Sequence, residues 1–104
     1  MNMTRKNPDE KPALHLVPGK AILAVGEVIT WSITKYPPET WRGVRNGVGV
    51  YVGAAIRHCY QHLAAVVEGR PPLDAESGLP HLAHAAVSAL YALDHFLKEN
   101  AADE

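Results

Sequence analysis

Apolar residues recur at helical spacing in three stretches of the chain. From Lys20 to about Tyr36 they are Ile22, Val25, Val28, Ile29, Ile33 and Tyr36, a period that predicts a helix. Several are β-branched, so a strand over part of this stretch is the alternative. Seventeen residues without a turn signal favour the helix, and Pro37-Pro38 ends it. A second helix is expected from about Val50 to Glu68, with Val52, Ile56, Cys59, Leu63, Val66 and Val67 as its apolar face and Gly69 as its stop. A third is expected from Leu79 to about Glu99, with Pro80 in its first turn.

At about 100° per residue the third helix divides into two stripes. Leu79, Leu82, Ala86, Leu90, Leu93 and Leu97 share one, the expected core face. His81, His84, Ser88, Tyr91 and His95 share the other, roughly opposite. On the second helix Tyr51, His58 and His62 group together, away from Ile56, Cys59 and Leu63. On the first, Glu27 is the only acidic residue between Lys20 and Lys35 and lies with Thr30, Trp31 and Thr34, opposite Val25, Ile29 and Ile33.

The segments between are rich in turn formers. Residues 37–49 carry Gly and Pro together with Trp41, Arg42 and Arg45, and residues 69–78 hold Pro71-Pro72, Asp74, Glu76 and Gly78. Residues 1–12 read as a polar tail, 13–99 as a single helical domain and 100–104 as a frayed end. The expectation is all-α: a small bundle of three helices. Its second and third members are apolar or uncharged over more than one face, so a homo-oligomer, dimer or tetramer, is expected to complete it.

Composition narrows the function classes. The 104 residues suffice for one small domain, and 47% apolar with 20% charged residues is an ordinary globular balance. The formal net charge is −1 with no basic block, which argues against nucleic acid as a partner. No apolar run is long enough to span a bilayer, and Met1 to Pro12 lacks the apolar core of a signal peptide, so a cytoplasmic setting without membrane association is expected. A single cysteine, Cys59, excludes an internal disulfide and a cysteine-based zinc site.

Histidine is the compositional oddity. There are six, and all but His15 fall on the second and third helices. His58 and His62 are spaced i, i+4 and His81 and His84 i, i+3, separations at which two imidazoles can reach one ion. Between Ser77 and Leu93 there is no Asp, Glu, Lys or Arg, so the polar groups there need partners. Glu27 then reads as a base or an oxygen ligand. The plainer readings are that His95 sits at the surface near the helix C-terminus, Asp74 and Ser77 cap the third helix, Arg42 and Arg45 are solvated, and Trp41 anchors the core.

In order along the chain come Lys11-Pro-Ala-Leu-His-Leu-Val-Pro18, Val25-Gly-Glu-Val-Ile29, Lys35-Tyr36, Trp41-Arg42, Arg57-His58 and Asp74-Ala-Glu-Ser-Gly-Leu-Pro-His-Leu-Ala-His-Ala-Ala86. Together, over about residues 11 to 97, they resemble a phage-associated family, the N-terminal domain of dATP/dGTP diphosphohydrolase, which is similar in activity to MazG-type all-α nucleotide pyrophosphohydrolases. The resemblance implies hydrolysis of a purine deoxynucleoside triphosphate, dATP or dGTP, to the monophosphate and pyrophosphate, in the host cytoplasm if the chain is phage-encoded. MazG-type enzymes hold divalent ions with ExxE and ExxD carboxylates on facing helices. Here His81-Leu-Ala-His84 stands where an ExxD pair is expected.

On this reading His58, Glu76, His81 and His84 surround one or two divalent ions. Mg²⁺ or Mn²⁺ is expected, with another transition metal as the alternative because imidazole suits those ions better. Glu27 and Glu76 are the catalytic candidates, and Lys35, Arg42 and Arg57 offset phosphate charge. Trp41 stacks on the purine or packs in the core. The competing reading is a non-catalytic helical oligomer with structural or metal-binding histidines.

Overall fold

The computed structural model describes residues 11–101. The expected tail over 1–12 therefore lies outside the described residues from 1 to 10, as do residues 102–104 of the expected frayed end. Three helices form, α1 (Gly19–Ser32), α2 (Gly47–Val67) and α3 (His81–Glu99), with 3-10 turns at Leu14–Leu16 and Thr40–Gly43. Among the described residues there is no strand, only an isolated antiparallel bridge between Leu73 and Pro80.

Helix boundaries follow local chemistry. α1 stops at Ser32, short of Tyr36, because the Ser32 hydroxyl donates to the Ile29 carbonyl and the Thr34 hydroxyl to the Trp31 carbonyl. Such side-chain bonds compete with the next helical turn. α2 begins at Gly47, ahead of Val50, after Asn46 in the left-handed region, and closes before Gly69 at φ 71°. α3 begins at His81, with Pro80 as its extended N-cap rather than inside the first turn.

α3 is the middle helix. It packs on α2 along most of its length and on α1 more locally, while the backbones of α1 and α2 do not approach closely among the described residues. The α1–α3 core is Val25, Val28, Ala83 and Val87, bordered by Ala24, Leu79, Ala86 and Tyr91. Elsewhere the buried apolar positions are small, including Ala65, Ala85 and Ala92, and among the described residues no large side chain is fully covered.

This arrangement reverses the expected orientation of two helices. His81, His84 and His95 of α3 are buried, while Leu82, Leu90, Leu93 and Leu97 of the expected core stripe are 44–50% exposed. On α2, Tyr51, His58 and His62 are half-buried, and Val52, Ile56, Cys59, Leu63, Val66 and Val67 are exposed. The physical reason is that α3 has a helix on each of two sides. The histidine stripe faces the crevice between them, alanines make the close contacts, and the leucines are turned away. His95 is likewise no surface residue: its Nε2 donates to the Trp41 carbonyl at 2.9 Å.

Candidate metal centre

The connector between α2 and α3 is a tight turn built on Asp74. Its Oδ2 accepts the Ser77 N–H at 2.9 Å and the Glu76 N–H at 3.2 Å. Gly78, at φ 74°, supplies the left-handed residue that returns its N–H to the Asp74 carbonyl. The Asp74 N–H bonds the Leu79 carbonyl at 2.8 Å, and the His81 N–H bonds Pro72 at 3.1 Å. Asp74 thus organises its own turn rather than capping α3, whose N-terminus has no side-chain cap. The turn folds its carboxylate back over the first residues of α3.

Three side chains meet there. His58, Asp74 and His81 each present one ligand atom, and these atoms lie within 4.8 Å of one another. The two Nδ1 atoms of His58 and His81 are 3.1 Å apart. Two nitrogens on one ion, each bonded at about 2 Å, are separated by about 3 Å in a tetrahedral or octahedral shell. The imidazoles therefore already stand at the edge length of a coordination polyhedron. Burial first, and then the neighbouring His84 and His81, hold His58 below its ordinary pKa, which favours the neutral imidazole that a metal requires. Burial pushes the Asp74 carboxyl up, but bonds from Ser77 and the nearby His84 and His58 outweigh it, so Asp74 stays ionised.

The donor set, two imidazoles and one carboxylate, fits a divalent ion. It suits Mn²⁺, Fe²⁺, Ni²⁺ or Zn²⁺ better than Mg²⁺, which prefers oxygen.

The surrounding residues differ from the expected ligand list. His84 adjoins the group without entering it: its Nε2 is bonded to the Ser77 hydroxyl at 2.7 Å and its ring stacks on His58 at 4.7 Å. The Trp31 edge abuts the His84 ring, and burial lowers the His84 pKa. Glu76 is turned outward, 63% exposed, and bound to Lys35 at 2.7 Å. The Lys35 ammonium also lies over the rings of Trp31 and Tyr36. His62 is half-buried on α2 and is not one of the three.

Glu27 is exposed on α1 and has no ion pair among the described residues, and Arg57 is exposed on α2. Arg42 pairs with Glu39 at 2.9 Å and Asp94 at 3.5 Å. Trp41 has Tyr91 stacked on it at 4.1 Å, 3° from parallel, and the Arg42 guanidinium 4.5 Å from its ring centre. Trp41 thus packs within an aromatic group and also lines the neighbouring cavity. Sequence reasoning reads Asp74 as a cap, and the structure adds it to the candidate ligands. The available signal was its place four residues before Gly78, where an Asx turn folds back onto the helix start.

A family model described as dATP/dGTP diphosphohydrolase, N-terminal, matches residues 1–104. No curated protein and no solved structure matches the chain. Together with the all-α architecture and the ordered Asp74–Ala86 block, the match over the full sequence shows that the chain belongs to the dATP/dGTP diphosphohydrolase N-terminal family.

Proposed function

We propose that this domain binds a divalent transition metal, Mn²⁺ above the others, through His58, Asp74 and His81, and hydrolyses a purine deoxynucleoside triphosphate to the monophosphate and pyrophosphate. The observation that carries the proposal is the clustering of these three ligand atoms within 4.8 Å beside a lysine. The family to which the chain belongs suggests the substrate class. The ion would polarise the phosphates and lower the pKa of a bound water.

The protein's own groups do the rest. Lys35 meets the phosphate charge by exchanging its Glu76 partner for substrate oxygen. Glu76, released from Lys35, accepts the proton of the attacking water. Ser77 and Trp31 hold the His84 ring, which in turn supports His58 by stacking. Water adds to phosphorus as the bond between the α-phosphorus and the bridging oxygen breaks, so atoms balance as monophosphate plus pyrophosphate.

Purified protein incubated with each dNTP and Mn²⁺ or Mg²⁺ should release pyrophosphate from dATP or dGTP, and His81→Ala should abolish it. Tight metal binding without turnover of any triphosphate would sink the enzymatic reading and leave a structural metal site.

A further inference from the structure

A cavity of about 620 Å³ opens further along α2 and α3 than the metal-ligand cluster, walled chiefly by Ile29, Ile33, Tyr36, Val44, Tyr51 and Tyr91, with Glu39 and Arg42 also in its lining. Its size is that of a small-molecule site, and its walls are mainly apolar and aromatic. We infer that this cavity receives the purine base of the substrate, which extends the reaction proposed above and rests on it for the phosphate end.

The register of α2 and α3 carries the inference. Tyr51 meets Tyr91 edge-on at 5.3 Å, and His58 stacks on His84 at 4.7 Å. Both steps, Tyr51 to His58 and His84 to Tyr91, are seven residues, so the antiparallel helices set an aromatic tier and a histidine tier about 10 Å apart at 1.5 Å per residue. A deoxyribose and an α-phosphate fill that span between a base and metal-held phosphate oxygens. Lys35 lies at the junction, over Trp31 on the histidine side and over Tyr36 on the cavity side.

The cavity also offers polar contacts. The Tyr51 and Tyr91 hydroxyls have no hydrogen-bond partner among the described residues, and neither is a buried unsatisfied group, so both are free to pair with a ligand. Trp41 stacks on Tyr91 and backs that wall of the cavity. A purine covers more of these walls than a pyrimidine does.

The test uses metal-stripped protein, titrated calorimetrically with deoxyadenosine, deoxyguanosine, thymidine and deoxycytidine. Purine nucleosides should bind without metal, at least about tenfold tighter than the pyrimidines, the scale of one base stack on aromatic walls. Ile33→Trp and Val44→Trp, each checked for an unchanged helical spectrum, should fill the cavity and weaken purine binding by about tenfold or more. His81→Ala should leave nucleoside binding intact. Absence of purine binding, or binding unmoved by both filling variants, overturns the inference even if dNTP hydrolysis is found. Purine binding that the filling variants remove upholds it even if no triphosphate is turned over, in which case only the reaction fails.

Discussion

At Asp74 a single carboxylate holds a turn and faces two imidazoles, and the two duties can be separated. Asn keeps an oxygen that accepts the Ser77 and Glu76 N–H groups but loses the charge, whereas Ala loses both. Asp74→Asn should therefore melt near the parent protein while losing about a hundredfold in Mn²⁺ affinity. Asp74→Ala should lose the affinity and about 1 kcal/mol of stability as well, the scale of a lost cap. Calorimetric titration beside thermal melts reads both, and an Asn variant that keeps its affinity would remove Asp74 from the ligand set.

Acid should weaken the same region in metal-free protein. Burial lowers the pKa of His58 and His84 below the ordinary 6.5, so the unfolded chain takes up protons more readily than the folded one. Stability is then full above 6.5 and falls as pH drops below it. This window lies above that of Asp74, whose depressed pKa matters only once pH approaches its ordinary 3.8. Urea midpoints at about pH 7.5 and about pH 5.5 should differ, and His58→Gln should shrink the difference. Equal sensitivity in parent and variant would contradict the account.

At the scale of elements, the start of α2 is fixed by contact with α3. A methyl added at Gly47 would overlap the His95 ring, itself tethered to the Trp41 carbonyl, whereas one added at Gly26 on the exposed side of α1 meets nothing. Gly47→Ala should cost about 1–3 kcal/mol by overpacking. Gly26→Ala should instead raise stability by about 0.5–1 kcal/mol through helix propensity. Melting curves of the two variants should move in opposite directions.

The same contact marks how far the sequence could be read. Periodicity, Pro37-Pro38 and Gly69 delivered all three helices to within a few residues, because those signals act locally. They did not deliver the inward faces. Leu82, Leu90, Leu93 and Leu97 form the more apolar stripe of α3, yet flanking by two helices turns the histidine stripe inward. Hydropathy ranks faces one helix at a time, while the choice here is made by how many neighbours a helix has. The histidines of the candidate site were legible as a spacing oddity. Asp74 was less so, since its approach to His58 and His81 depends on the return of the connector through the Leu73–Pro80 bridge.

At the scale of the molecule, the leucine stripe and the outward side of α2 pose one question together. Val48, Val52 and Ile56 of α2 border a groove with Leu93 and Phe96 of α3, and Leu63 and Leu82 are exposed besides. No large side chain of the described chain is fully covered, so the core within one copy is thin. Covering an aliphatic side chain is worth roughly 1.5–3 kcal/mol when complete, and these are about half covered already, so several must be buried at once to offset association. A second copy, related by a twofold axis, brings the same stripe to a groove whose lining carries no charged side chain. We therefore propose a homodimer or higher oligomer seated on α2 and α3, with the histidine crevice left accessible on the other side. Sedimentation velocity should show a species larger than one chain. The double variant Ile56→Glu with Leu93→Glu should shift it to the monomer and lower its melting temperature. A parent protein that sediments as a monomer at assay concentrations would refute the dimer, and a monomeric variant that still binds Mn²⁺ would show that the metal site is complete within one chain.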